Sequence, residues 1–169
     1  VPHIYGKRDA DVSFGLAYAH AQDDYKTIEG VLLALRGKLA AAYGKDAAVN
    51  DYYVHLMDFW NTIENKYDSD VPDDVKLLCD GYAAGINLFL DDFPDKRRKQ
   101  LSNLTGRDVI AGFSHKMPLM FGLDGVLKKL AKEKPPEFIG YGDELQFGPF
   151  DMVASNVMAV APQRSSDGY

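Results

Sequence analysis

Residues 23–43 read DDYKTIEGVLLALRGKLAAAY, and apolar side chains recur in this stretch at steps of three and four residues. Such a period places them on one side of an α-helix, so the stretch predicts an amphipathic helix over residues 23–43. Gly44 follows directly and is a common helix terminator. The apolar positions of this helix are Ile28, Val31, Leu32, Leu35, Leu39 and Ala42.

The helical period extends in both directions from this stretch. On the N-terminal side it begins at Asp9 and runs to about His20, behind a short extended strand at residues 1–6. Pro118 is expected to kink or end one of the helices on the C-terminal side. Four helices are predicted there, over residues 50–66, 72–90, 105–116 and 123–132. The sequence therefore predicts a mainly helical region.

The composition is that of one ordinary globular domain: 169 residues, 46% hydrophobic and 26% charged, with a net charge of −6. This balance is too apolar for intrinsic disorder and argues against nucleic-acid binding, and no apolar run is long enough to cross a membrane. The single cysteine, Cys79, excludes an internal disulfide and a cysteine-based zinc site. Its apolar helical surroundings predict a buried, unreactive thiol.

The C-terminal part of the sequence loses the helical period. Residues 132–154 hold glycines and prolines without a sustained pattern, which is typical of a linker. Residues 156–161, NVMAVA, predict a short buried strand that is followed by an Asp-Gly turn. The chain thus divides into a helical region 1–131, the linker 132–154, and a first strand with its turn at 155–169. Because a hairpin needs a second strand, we expect the front part of a larger protein.

Few side chains suggest chemistry, and each has a structural interpretation from physics alone. The four histidines lack the spacing of metal ligands, so no metal site is assigned. His20, Gln22 and Asp23 fall at the junction of the first two helices, where Asp23 is expected to cap the second helix. Met117 and Phe121 are four residues apart on one predicted helix face, and such residues ordinarily pack in a core.

Three blocks of sequence are specific when they are taken together. VPHIY at residues 1–5 and FGLAYAHAQD at 14–23 form the first block, GYAAGIN at 81–87 the second, and SNVMAVAPQRSSDG at 155–168 the third. In this order, across nearly the whole chain, they resemble the penicillin acylase family of N-terminal nucleophile hydrolases. Asp24 and Met158 depart from the family's usual Arg and Trp, which bears on the subgroup.

The resemblance implies a fold and a nucleophile. The fold is the α+β, four-layered αββα sandwich, of which this chain supplies mainly outer helices with short N- and C-terminal strands. The precursor is expected to cut itself between Ala154 and Ser155. Ser155 is then the catalytic nucleophile and, through its freed α-amine, the base, which suits a serine that has no evident histidine and aspartate partners. Catalysis needs no cofactor, and a structural calcium ion is compatible with the family, without ligands that can be named in this chain.

The implied activity is hydrolysis of a linear amide in an N-acyl compound through an acyl-serine ester. The substrate classes are a β-lactam with an acyl side chain, an N-acyl-homoserine lactone and an acylated peptide, so the expected role lies in antibiotic or quorum-signal metabolism. Met117 and Phe121 correspond to residues that line the acyl side of the family's pocket, and packing against the β sandwich is their alternative interpretation.

The resemblance also implies partners and a location. The partners are the β-subunit-like remainder of the precursor and a small-molecule substrate, without nucleic acid or a membrane span. The location is the bacterial periplasm or the exterior, and this fragment alone is expected to be inactive. Two alternatives stay open: a non-catalytic helical binding or interaction module, and an inactive relative of the acylases.

Overall fold

A computed structural model describes residues 2–130 of the chain, and helices dominate them. Residues 2–6, which the sequence predicts as a strand, do not form one, because a strand needs a hydrogen-bonded neighbour and no strand occurs among the described residues. The predicted linker and C-terminal strand lie outside the described residues. The α-helices are α1 (Asp9–Leu35), α2 (Leu39–Tyr43), α3 (Ala48–Met57), α4 (Phe59–Asp70), α5 (Asp73–Asp92), α6 (Gly106–Pro118) and α7 (Asp124–Leu130).

Helices α1 and α5 make the most extensive helix contact within residues 2–130. Gly81 and Gly85, one turn apart on α5, face the backbone of α1. A Cβ atom on Gly85 would lie 2.3 Å from the carbonyl oxygen of Phe14, and one on Gly81 would lie 2.4 Å from that of Ala10. Residues without a side chain therefore allow the two helix backbones to meet at this distance.

The hydrophobic core surrounds this helix pair. It includes one face of α5, which begins directly after Pro72 as the sequence predicts. Helix α6 packs against α1, α4 and α5. The largest fully buried side chains are Leu33, Tyr53, Ile86 and Leu90.

Helix α1 is bent at Asp24, whose backbone leaves the helical conformation (φ −149°, ψ 63°). The bend confirms the predicted junction between the first two helices. The second half ends at Leu35 rather than at Tyr43, because Gly37 adopts a φ of +61° and turns the chain. The indole Nε1 of Trp60 donates a hydrogen bond of 2.9 Å to the carbonyl of Leu35, so this helix end is satisfied.

The helix predicted over residues 50–66 is divided in two. Asp58 adopts a left-handed conformation (φ 50°) and separates α3 from α4. Its carboxylate accepts a hydrogen bond of 2.9 Å from the side-chain amide of Asn61 in the first turn of α4. Phe59 and Ile63 continue the apolar period beyond the break and are buried, which is why the pattern suggests one helix.

Helix α6 begins after Thr105, as its capping signal predicts. The carboxylate of Asp108 accepts hydrogen bonds from the backbone N–H of Thr105 at 2.8 Å and from its hydroxyl at 3.1 Å. The same carboxylate accepts from Nε of Arg36 at 2.7 Å, in an ion pair whose side chains are 10% and 3% exposed. Arg36 also donates to the carbonyls of Ser102 and Asn103. One guanidinium thus ties the end of α1 to the start of α6.

Candidate functional site

Two groups of candidate residues fall within the described part of the chain. One group lies at the bend of α1 and the other at the end of α6. The catalytic assignment made from the sequence, to Ser155 with the scissile bond after Ala154, lies outside the described residues. The structure therefore bears on the surroundings of the site and not on its nucleophile.

The end of α6 carries an exposed apolar stripe. Within α6, only Phe113 and Met117 have exposed side chains, at 68% and 46%, and Phe121 just beyond the helix is 81% exposed. We call these three residues the α6 stripe. An amphipathic helix normally exposes polar side chains, so a stripe of large apolar ones marks a surface for contact. Neither Met117 nor Phe121 packs in the core of the described helices.

The backbone is irregular where the stripe ends. Helix α6 stops at Pro118 and is followed by a π-helical turn over Leu119–Leu123. In that turn Phe121 is non-helical and Gly122 has a φ of +97°, a conformation that favours glycine. The predicted end of a helix at Pro118 is confirmed. The prediction that Met117 and Phe121 lie on one helix face is wrong, because the backbone at Phe121 is no longer helical.

His115 holds α6 in place directly behind the stripe. Its carbonyl accepts a hydrogen bond of 3.1 Å from the hydroxyl of Tyr53, and its ring contacts those of Tyr53 and Phe59. The side-chain nitrogen of Asn50 donates to the carbonyl of Ala34, so its oxygen faces Nε2 of His115 at 2.8 Å and accepts the proton. Burial lowers the pKa of His115 to about 4, so the imidazole is neutral at pH 7.

Of the three candidates at the bend of α1, His20 contacts another helix. Nδ1 of His20 lies 2.9 Å from the hydroxyl of Tyr82 on α5. The cap of the second half is Asp24, whose carboxylate accepts from the backbone N–H of Thr27 at 3.1 Å and from its hydroxyl at 2.6 Å. The prediction that Asp23 is the cap is wrong by one residue, since Asp24 is where the backbone leaves the helix. These hydrogen bonds hold the pKa of Asp24 below its usual value.

An open groove of about 560 Å³ lies beside this bend. Gln22 and Asp23 line it, and so does Glu29, whose carboxylate is paired with Nε of Arg98 at 2.6 Å. The remaining lining combines aromatic rings with charges of both signs. The described residues around the groove bring no nucleophile and base together, and we give it no catalytic role.

Within residues 2–130, no group of three or more histidine, cysteine, aspartate or glutamate side chains is placed to hold a metal ion. Cys79 is buried, and burial raises the pKa of its thiol, in agreement with the predicted unreactive cysteine. None of the described helices is both long enough and apolar enough to span a membrane.

The sequence reasoning missed two features of the α6 end. The first is the exposure of Phe113. Its spacing of four residues from Met117 already places the two on one helix face, but a helical period does not distinguish a buried face from an exposed one. The contact of His115 with Asn50 joins residues 65 positions apart. No local pattern indicates such a pair.

One family model matches this chain along its whole length, and several known proteins resemble it over part or nearly all of that length. Residues 1–169 match the family model described as penicillin amidase. The acyl-homoserine lactone acylase PvdQ of Pseudomonas fluorescens strain Pf0-1 is 22% identical over 197 residues, which cover 99% of this chain and 24% of that protein. The acyl-homoserine lactone acylase QuiP of Pseudomonas fluorescens strain ATCC BAA-477 is 29% identical over 96 residues, covering 57% of this chain and 12% of that protein.

A solved structure shares the helical fold. The chain in question belongs to a thermostable penicillin G acylase from Alcaligenes faecalis and superposes with a TM-score of 0.61 at 18% identity. The match covers 85% of the present chain and 93% of the solved one. By contrast, the present chain spans 24% of the PvdQ relative and 12% of the QuiP relative.

Proposed function

Because this chain belongs to the penicillin amidase family, we propose that it is the α part, with the first residues of the β part, of an enzyme that hydrolyses a linear amide in an N-acyl compound. The observation that carries this proposal is the family match over residues 1–169, which includes the block at 155–168. The names of the relatives, acyl-homoserine lactone acylases and a penicillin G acylase, support an acyl group as the recognised feature.

In the proposed reaction, Ser155 acts as both nucleophile and base. Its Oγ attacks the amide carbonyl while its α-amine takes the hydroxyl proton, and the same proton then goes to the departing amine. The acyl group is left as an ester on Oγ. Water, deprotonated by the α-amine, attacks this ester and releases the acid. An α-amine has an unperturbed pKa of about 7.7–8.0, which suits a base near neutral pH.

The α-amine becomes available only when the chain before Ser155 is cut. We propose that Oγ of Ser155 first attacks the carbonyl of Ala154, which converts the peptide bond to an ester and frees the amine. Water then opens this ester, and the linker at residues 132–154 ends at a new carboxylate. Maturation and turnover thus use one hydroxyl in two reactions of the same kind.

The described helices would form an outer layer of an αββα sandwich whose sheets come from the remainder of the protein. Met117 and Phe121 would line the acyl side of its pocket. The exposure of these two apolar side chains supports this placement, since acyl pockets are mostly apolar. The amine portion of the substrate, which distinguishes β-lactams, homoserine lactones and acylated peptides from one another, would be recognised by other residues.

Two further proposals rest on the family alone. The enzyme would work in the bacterial periplasm or outside the cell, on small molecules and not on nucleic acid. A structural calcium ion is compatible with the family, but residues 2–130 hold no cluster of acidic side chains that fits it. We therefore assign it no ligand and no step of the reaction.

The test compares Ser155→Ala with Ser165→Ala in the full-length protein, because Ser165 belongs to the predicted turn and serves as a control. Wild type and Ser165→Ala should yield a fragment whose N-terminal sequence is Ser-Asn-Val-Met, and both should hydrolyse an N-acyl-homoserine lactone or penicillin G. Ser155→Ala should do neither. An active wild type with the Ala154–Ser155 bond intact would refute the mechanism.

The same experiment separates the two alternatives. Cleavage without hydrolysis of any N-acyl compound would indicate an inactive relative. Neither cleavage nor hydrolysis would indicate a helical binding module. Mass spectrometry of the purified protein distinguishes these outcomes before any substrate is chosen.

A further inference from the structure

The open groove beside the bend of α1 has two walls. One wall is α1 itself, with residues 21–26 and Glu29. The other consists of Phe89 in the last turn of α5, Phe93 directly after that helix, and Lys96 in the 3₁₀ turn that follows. The volume of about 560 Å³ lies within the range of about 300–1,000 Å³ that small-molecule sites have. The groove therefore has room for a small ligand.

Charges of both signs line this groove without neutralising one another. The side chains of Asp23 and Lys26 on α1, and of Lys96 on the other wall, make no hydrogen bond or ion pair with the described residues. The other two carboxylates of the lining already have partners, one in the helix cap and one in an ion pair. An unpaired carboxylate and two unpaired ammonium groups around one opening suit a ligand that carries both charges, because a plain cation or anion would complement only one of the two signs.

Aromatic rings form the apolar part of the groove. The ring centroids of Tyr25 and Phe89 lie 5.4 Å apart, and those of Phe89 and Phe93 lie 4.8 Å apart. Tyr25 and Phe89 are buried, whereas Phe93 is 39% exposed. The row of rings thus runs from the core to a ring that solvent reaches. A further ring, supplied by a ligand, can pack against Phe93 and continue the row.

The hydroxyl of Tyr25 is buried and makes no hydrogen bond with the described residues. Buried hydroxyls normally have a partner, so this one calls for an acceptor or a donor from elsewhere. Burial, together with the nearby carboxylate of Glu29, raises the pKa of Tyr25, and the hydroxyl therefore keeps a proton that it can donate. Because Tyr25 lines the groove, a ligand that enters beside its ring can supply the missing acceptor.

We propose that this groove is a binding site for a small zwitterion with an aromatic side chain, of which an aromatic α-amino acid is the simplest example. The ammonium group of the ligand faces Asp23. Its carboxylate faces Lys96 and accepts the proton of Tyr25, and its ring packs against Phe93. The site is separate from the proposed hydrolysis, to which the groove contributes no residue.

The test is isothermal titration calorimetry of the full-length protein with phenylalanine, phenethylamine and alanine. Phenylalanine should bind with a Kd of about 1 mM, a strength within reach of a ligand of so few atoms. Phenethylamine lacks the carboxylate and alanine lacks the ring, so each should bind about tenfold more weakly.

Two variants and one control locate the binding. Tyr25→Phe removes only the unpartnered hydroxyl, so it should weaken phenylalanine binding about tenfold and should not lower the melting temperature of the ligand-free protein. Asp23→Asn should weaken binding to a similar extent, and it carries the test if Tyr25→Phe does not fold. Tyr52→Phe alters an exposed tyrosine on α3 that does not line the groove, and it should bind phenylalanine as the wild type does.

Three results would overturn the proposal. The first is no heat of binding at about 10 mM phenylalanine, ten times the expected Kd, which would also be the result if another part of the protein covers the groove. The second is wild-type affinity in both groove variants, which would place the ligand elsewhere. The third is equal affinity for phenethylamine and phenylalanine, which would indicate a site for a cation. All of them are independent of whether the protein hydrolyses an N-acyl compound.

Discussion

Gly85 lies where α5 comes closest to the backbone of α1, and its replacement by alanine tests the whole helix arrangement. The new Cβ would lie 2.3 Å from the carbonyl oxygen of Phe14 and 2.9 Å from Cβ of Ala17. Cβ atoms essentially never come within 3.0 Å of a non-bonded heavy atom beyond their own and adjacent residues, so the helices would have to separate by at least about 0.7 Å. The obstacle is a backbone carbonyl, which cannot rotate away as a side chain can.

The expected cost follows from two opposing effects. Overpacking a well-packed interior typically costs about 1–3 kcal/mol, and the rigid obstacle places Gly85→Ala at the upper end. In the opposite direction, replacing a glycine in a helix by alanine stabilises the helix by about 1 kcal/mol. We expect a net loss of about 2 kcal/mol in the free energy of unfolding. Gly30→Ala in α1 is the matched control, because its Cβ would meet no atom within 4 Å, and it should gain up to about 1 kcal/mol.

The assay is urea unfolding of the two variants and the wild type, followed by far-ultraviolet circular dichroism. The difference between the variants should be about 3 kcal/mol, with Gly30→Ala the more stable. Adding Gly81→Ala to Gly85→Ala should cost less than the two separate losses combined, because one separation of the helices relieves both contacts. If Gly85→Ala is as stable as Gly30→Ala, the described approach of α1 and α5 is wrong.

Three further predictions concern side chains. The pKa of His115 is lowered from 6.5 to about 4, so on acidification the unfolded chain is protonated at this residue before the folded chain is. The free energy of unfolding should therefore be highest above pH 6.5 and fall by about 3 kcal/mol as the pH drops towards 4. Unfolding measured at a series of pH values should show a weaker pH dependence in His115→Gln. Asp108→Ala should cost about 3–5 kcal/mol in urea unfolding, because it leaves the charge of Arg36 buried without its carboxylate; a loss below about 1 kcal/mol would contradict the buried pair. Asp24→Ala should lower the free energy of unfolding by about 0.5–2 kcal/mol, and Asp23→Ala should lower it much less, because only Asp24 caps the helix. Thermal unfolding of the two variants measures the difference, and equal losses would argue against that cap.

The sequence predicts helix starts better than helix interruptions. Pro72 and Thr105 act on their own first turn, so local chemistry suffices to place α5 and α6. The turn at Gly37 and the left-handed Asp58 interrupt helices whose apolar period continues beyond them. The choice between bending and continuing depends on contacts made elsewhere, such as the indole of Trp60 against the end of α1, and a local period does not contain that information.

The candidate site, too, has some features that the sequence predicts and others that it does not. The resemblance selects Met117 and Phe121 by position, and the helix end expected at Pro118 is found. The sequence does not predict the exposure of these residues, because the same apolar period occurs in a stripe that faces a core and in one that faces solvent. The prominence of Phe113 thus becomes visible only when the neighbouring helices are in place.

The way α6 is held has a consequence for how the protein can vary. The buried contacts of Asp108 and His115 fasten the first three turns, whereas the side chains of the exposed stripe lie outside the buried core. Substitutions at Met117 or Phe121 are therefore expected to change the character of this surface at small expense in folding free energy. Under the proposed function, selection for a new acyl group would act on these two positions and leave the buried attachment of the helix unchanged.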